Sequence, residues 1–146
     1  MHMDLFVPSR TRSIGENHYA LVLVDEYSRY TWILFISAKN DTCKVFKKFA
    51  NVIQNEKDLR YKSIRSDHEG EFQKAIFETY CEENGISHNF SAPRTSQQNG
   101  VVERKNRSMK ELARTMLNEN NLPKYFWADA VSTACYVLNR VLIRPV

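Results

Sequence analysis

Residues 19–36 read YALVLVDEYSRYTWILFI, and the fold is built outward from that stretch. Tyr19 to Val24 is an unbroken apolar, β-branched run of the kind that forms a strand buried on both faces. Tyr30 to Ile36 repeats the pattern after the short polar interruption Asp25-Glu-Tyr-Ser-Arg29, so two antiparallel strands follow one another through a turn. Toward the amino terminus, Met3 to Val7 gives a further short strand ended by Pro8, and the turn-prone stretch Ser9 to His18 completes an antiparallel meander of three. Asp4 interrupts the apolar run of that first strand. With the hairpin centred near residue 14, Asp4 is expected opposite Val24 and Asp25. Asp25 is then either an acid neighbouring the site of Asp4 or, more commonly for such a position, a solvated turn residue.

In the other direction, Asn40-Asp41-Thr42 offers an N-cap for a helix carrying Val45, Phe46, Phe49, Val52 and Ile53 at helical spacing, which fades between Asn55 and Arg60. Tyr61 to Ser66 is a fourth strand that delivers Asp67 at its carboxyl end. A strand, a helical crossover and another strand favour parallel pairing, and sites in such sheets gather beyond the carboxyl ends of the strands. Glu71 to Asn84 reads as a helix with Phe72, Ile76 and Tyr80 on one stripe and Gly85 as its stop. Ile86 to Phe90 is a fifth short strand, and Ser91 to Gly100 the one long loop. The next helix presents Glu103, Arg107, Lys110 and Arg114 on one face and turns Val102, Met109, Leu112, Ala113 and Met116 toward the sheet. Asn120 or Asn121 is expected to open a last helix, with Pro123 near its first turn and Trp127 in the core. Periodicity alone therefore gives a mixed α/β sandwich.

The 146 residues make one domain, globular by its 42% hydrophobic and 26% charged content. A net charge of +4 permits a polyanionic partner without requiring one. Cys43, Cys81 and Cys135 form no C-x-x-C pair, and His2, His18, His68 and His88 no H-x-x-x-H, so neither a disulfide framework nor a zinc ribbon is expected. A reducing intracellular compartment follows. No apolar run reaches the roughly 18 residues of a membrane-spanning helix, and no signal peptide is expected.

Asp67 and Glu103, with thirty-five residues between them, both sit at expected element ends, with Asp4 as a third acid. Acids gathered at such ends suit hard divalent cations, which take oxygen ligands and keep waters for phosphates to displace. Paired metals can activate a nucleophile and stabilise the leaving oxygen of a phosphodiester. The spacing carries nothing alone, because most acids merely face water; the surroundings must supply the specificity.

Those surroundings are the segments MDLFVP, LVLVDEYSRYTW, IRSDHEGEF, SAPRTSQQNGVVERKNR, ARTML, LPKYFWADAV and TACYVLNRV, in that order. Together they resemble the integrase catalytic core of copia-type long-terminal-repeat retrotransposons. The resemblance implies an α/β, ribonuclease H-like fold: a five-stranded mixed sheet, three antiparallel strands plus two parallel, flanked by helices. It implies that Asp4, Asp67 and Glu103 are catalytic and hold Mg²⁺ or Mn²⁺, two ions per site. It implies phosphoryl transfer on DNA, in which water cuts near the element's 3′ ends and the freed hydroxyls attack target phosphodiesters. Gln97, Gln98 and Asn99 on the loop, with Arg104, Lys105, Arg107, Lys110 and Arg114 on the helix, are the expected DNA contacts. A homo-oligomer acting in the nucleus, with no membrane, is expected on the same ground.

Residues 1–146 read as the catalytic core alone, without the zinc-binding domain that precedes it and the basic DNA-binding region that follows it in family members. Two departures from the family pattern are Glu69, where Gly is more usual, and Ser96, where Pro is more common. The rival readings are a catalytically weak or inactive nucleic-acid-binding relic of a retroelement, and a cellular ribonuclease H-like nuclease. SAPRTSQQNGVVERKNR speaks against the second.

Overall fold

The structure, a computed structural model, describes residues 1–7, 10–57, 63–66, 71–90 and 96–141, with backbone alone at 57, 66, 71–76, 89–90 and 96–102. Five strands, β1 (His2–Phe6), β2 (Tyr19–Val24), β3 (Thr31–Ile36), β4 (Ser63–Ser66) and β5 (Ser87–Phe90), form one sheet in the order β3-β2-β1-β4-β5. β1 and β3 each run antiparallel to β2, whereas β4 runs parallel to β1 and β5 parallel to β4. This is the expected mixed sheet. The helices are α1 (Thr42–Lys57), α2 (Glu71–Glu83), α3 (Ser96–Glu119) and α4 (Trp127–Val141), with 3₁₀ turns at Lys39–Asp41 and Lys124–Phe126.

β2 explains the layering. Its side chains alternate, so Leu21 and Leu23 join one core with Phe46 of α1 and Phe77 and Cys81 of α2. Ala20, Val22 and Val24 join a second core with Met109 and Ala113 of α3 and Trp127, Val131 and Ala134 of α4. The sheet is thus covered on both faces. Phe46 centres the first core, its ring 5.0 Å from that of Phe77 and edge-on to Tyr80 at 5.9 Å.

Several boundaries differ from the pattern-based ones. Asp4 pairs with Val22, not with Val24 or Asp25, a register shift of two residues. The connection between β1 and β2 is no symmetric hairpin: its Ser13 amide bonds the Asn17 carbonyl, and its Ile14 amide bonds the Tyr125 carbonyl of a distant turn. A shift of two preserves faces, so Asp4 stays on the side of α3 and α4. α3 begins at Ser96, so the expected loop contributes its last five residues to a helix, with Gly100 inside it at a cost of about 1 kcal/mol relative to Ala. Ser91 to Thr95 lie outside the described residues.

Neither Asn120 nor Asn121 opens the last helix as expected: α3 runs to Glu119, the Asn120 amide still bonds the Met116 carbonyl, and Asn121 closes the helix. The φ of Asn121 is 50°, and the amides of Asn121 and Leu122 bond the carbonyls of Asn118 and Leu117. The same geometry ends α2 at Gly85, φ 65°, as its stop residue requires. α4 is docked from both ends. The Trp127 indole N–H donates to the Thr11 carbonyl at 2.7 Å, and the Asn139 carboxamide exchanges two 2.8 Å bonds with the backbone of Thr31, completing the outer edge of β3. On α2, Phe77 and Cys81 are buried along with the expected Tyr80; the side chains of Phe72 and Ile76 are not among those described.

Candidate active site

Asp4 lies at the centre of β1, which is itself the central strand of the sheet and is paired on both sides. On its parallel neighbour β4, Arg65 pairs with His2 and Ser66 with Met3. β4 therefore brings the residue preceding Asp67 in sequence beside the residue preceding Asp4. Asp67 itself, with His68, Glu69 and Gly70, lies outside the described residues.

α3 crosses this part of the sheet. Asn106 donates from its Nδ2 to the Asp4 carboxylate at 3.2 Å, across 102 positions of sequence. Glu103, one helical turn before Asn106, lies on the same side of α3, as the 3.6-residue period requires. The strand that carries Asp4 and the helix that carries Glu103 are thus joined through Asn106. The Glu103 side chain is exposed and makes no ion pair with Arg107; the ion pair among the described residues joins Arg65 to Glu26 at 3.6 Å.

Asn106 is a neighbour of the candidate site that the charge pattern passed over. It is 5% exposed, and its Oδ1 has no hydrogen-bond partner among the described residues. A buried carbonyl oxygen without a donor is costly, on the order of 1–3 kcal/mol. Beside a carboxylate it is the feature expected where a cation-bound water belongs, so the donor set here, carboxylate and amide oxygens, fits a hard divalent ion. Among the described residues there is no group of three His, Cys, Asp or Glu side chains placed to hold a metal. Asp67 is not among those residues.

The expected basic strip divides in two. Arg104, Arg107 and Arg114 are exposed, and Lys110 is half-buried with its ammonium 4.3 Å from the centre of the Phe6 ring. Lys105 departs from the strip: it is 7% exposed and its ammonium donates to the Arg29 carbonyl. Arg29, φ 67°, sits in the β2–β3 turn, so Lys105 holds a backbone carbonyl of a strained turn rather than facing outward. Burial holds its pKa below the usual lysine value; Cys135 opposes that shift and the Arg29 guanidinium adds to it. Gln97, Gln98 and Asn99 lie in the first turn of α3, with no side-chain detail.

Asp25 takes the commoner of its two readings. Its carboxylate accepts from the Ser28 hydroxyl at 2.6 Å and from the backbone amides of Ser28 and Tyr27 at 3.2 and 3.4 Å. Burial alone would raise its pKa. The Ser28 hydroxyl, these amides and the chain's amino group outweigh it, leaving the carboxyl below its ordinary value.

Residues 1–96 match the family model described as the integrase core domain. The chain belongs to the integrase core domain family. The match includes Asp4 and Asp67 and ends before Glu103, but similarity to relatives continues past it. The integrase core is 40% identical over 140 residues to the "Retrovirus-related Pol polyprotein from transposon TNT 1-94" of Nicotiana tabacum, covering 96% of this chain and 10% of that one. It is 35% identical over 129 residues to the polyprotein from transposon RE2 of Arabidopsis thaliana, covering 88% of this chain and 9% of that one. The chain thus spans about a tenth of the length of these relatives. Its fold matches a chain of the simian T-cell lymphotropic virus intasome, solved in complex with PP2A regulatory subunit B56 gamma, with a TM-score of 0.68 at 18% identity, covering 99% of this chain and 50% of that one. The sheet is therefore the ribonuclease H-like sheet of integrases. No helix among the described residues is long and apolar enough to cross a membrane.

Proposed function

We propose that this integrase core cuts and joins DNA phosphodiesters, with Asp4, Asp67 and Glu103 as the ligands of Mg²⁺ or Mn²⁺ and the nucleus as its place of action. The observation that carries this reading is the Asn106 to Asp4 hydrogen bond, which ties the strand of the first acid to the helix of the third. Bound divalent ions would supply an activated nucleophile and charge stabilisation at the leaving oxygen. Asn106 holds the Asp4 carboxylate in one orientation, and the exposed guanidinium groups of Arg104, Arg107 and Arg114 meet DNA phosphates along α3. A second copy of the chain is the expected assembly partner, with element ends and target DNA as substrates.

The reading is tested by incubating the chain with branched DNA and Mn²⁺ beside an EDTA control. Nicked product that disappears with EDTA is the expected result, and metal-independent or absent nicking points to the relic.

Asn106 provides a finer test. Asn106→Ala removes the donor to Asp4 and should raise the metal concentration at half-maximal nicking by about 10–100-fold, the range carried by groups that orient metal ligands. Asn106→Asp should not restore it, because a carboxylate cannot donate to Asp4. A metal midpoint unchanged in both variants would remove Asn106 from the site.

Lys105 separates burial from DNA contact. Arg107→Ala or Arg114→Ala should each weaken duplex binding and lower the slope of log affinity against log salt by about 1. Lys105→Met should leave that slope unchanged. Its effect on stability should stay within about 1 kcal/mol, because the Arg29 carbonyl keeps the Thr31 hydroxyl as donor at 3.3 Å. The pKa of Lys105 is depressed in the folded state, so folding bears a penalty while the amine is charged. The native chain should therefore gain stability as pH rises through the folded pKa, and the Met variant should lack that gain. A reduced salt slope for Lys105→Met would return this residue to the DNA interface.

A further inference from the structure

Apart from the surroundings of Asp4 and Asn106, the molecule carries a cleft of about 780 Å³ between α3, the start of α4 and the beginning of the β1–β2 connection. Its lining combines two chemistries. Arg10, Lys110, Arg114 and Lys124 supply four cations, and no acidic residue is among the described lining residues. Beneath them Ala113, Leu117 and Val131 form an apolar floor, and Val7 and Leu122 stand 56% and 45% exposed at the mouth. The walls are preformed, since the Trp127 indole is bonded to Thr11 and the Ile14 amide to the Tyr125 carbonyl.

We propose that this cleft is a docking site for an acidic peptide segment of a partner protein that carries aliphatic side chains. Four cations without a lining acid select a negatively charged occupant and disfavour a second copy of this chain, whose own net charge is +4. A phosphate backbone would use the cations but leave Val7, Leu122 and the floor in contact with nothing apolar. Duplex DNA is convex, whereas a concavity of this size takes individual side chains or small groups. An unstacked base would need an exposed aromatic face. The aromatic residue of the described lining is Trp127, 2% exposed and packed edge-on against Phe35, so no such face is offered. Aliphatic groups on an acidic chain satisfy both halves of the lining, burying Leu122 and Val7 while their carboxylates meet Arg10 and Lys124.

The test uses the whole chain and a short fluorescein-labelled peptide in which Glu and Leu alternate, read by fluorescence anisotropy. Two control peptides replace every Leu with Ser or every Glu with Gln, and an unlabelled DNA duplex serves as competitor. Binding should fall at least about tenfold with either control peptide and with Arg10→Glu combined with Lys124→Glu. Leu122→Ser should weaken it several-fold, and DNA nicking should be unchanged in these variants, none of which alters the acid site or the α3 strip. Equal binding of the Ser-substituted peptide, or no effect of Leu122→Ser, overturns the proposal in favour of charge attraction alone. Displacement by duplex with the same dependence on Arg10 and Lys124 overturns it in favour of DNA. Light scattering that shows the chain self-associating, with the charge reversals abolishing the association, overturns it in favour of a second copy.

Discussion

Glu103→Gln and Asp67→Asn should each abolish Mg²⁺- or Mn²⁺-dependent nicking while leaving duplex binding at the level of the unmodified chain. Each substitution keeps the shape of the side chain and removes its charge, and a hard cation held by a few carboxylates loses most of its affinity with one of them. The loss should exceed the roughly 10–100-fold attached to groups that merely orient ligands. For Glu103 the fold is not at stake. Its side chain is exposed and has no ion pair with Arg107, so the stability change should stay within about 0.5 kcal/mol. Nicking on a gel, anisotropy with labelled duplex and a urea unfolding curve on the same preparations separate chemistry, binding and folding. Nicking at the unmodified rate by either variant would remove these acids from the reaction.

Trp127→Ala should be the most damaging single change to the fold away from the acids. The indole is 2% exposed, its ring lies 5.7 Å from Phe35 at a steep angle, and its N–H ties α4 to the β1–β2 connection. Emptying such a site costs about 3–5 kcal/mol, a large part of the roughly 5–15 kcal/mol that holds a domain folded. Trp127→Phe keeps most of the packing and loses the hydrogen bond to Thr11, so it should cost less, near the roughly 1 kcal/mol of a typical bond. Urea unfolding followed by circular dichroism gives both values. A Trp127→Ala cost below about 1 kcal/mol would mean that the surrounding side chains collapse into the space of the indole and that it does not anchor the core.

The strands were legible because their signals are local. Tyr19 to Val24 is bounded in the structure where its apolar run begins and ends, and its burial on both faces follows from having apolar residues at successive positions. Gly85 was legible as a stop because a left-handed residue is needed there and Gly adopts it without steric cost. Asn121 was misread because Asn serves equally at either end of a helix, and nothing local says which helix it belongs to. The start of α3 was misread for a related reason. Ser, Gln, Asn and Gly are common in loops, and weak propensity yields to the packing of the long helix that follows.

The candidate site divides along the same line. By itself the sequence determined the kinds of acid and the family to which the segments belong, because these reside in residue identity and short-range pattern; Glu103, expected at the start of a helix, instead lies about two turns inside α3. Only the tertiary structure decided which way the residues of α3 turn: Asn106 inward to the Asp4 carboxylate, Lys105 inward to the carbonyl of Arg29, and Arg104, Arg107 and Arg114 outward. The helical period relates these residues to one another but not to the sheet. The rotation of α3 against β1 is set by Met109 and Ala113 packing into a core built from strands a hundred residues away.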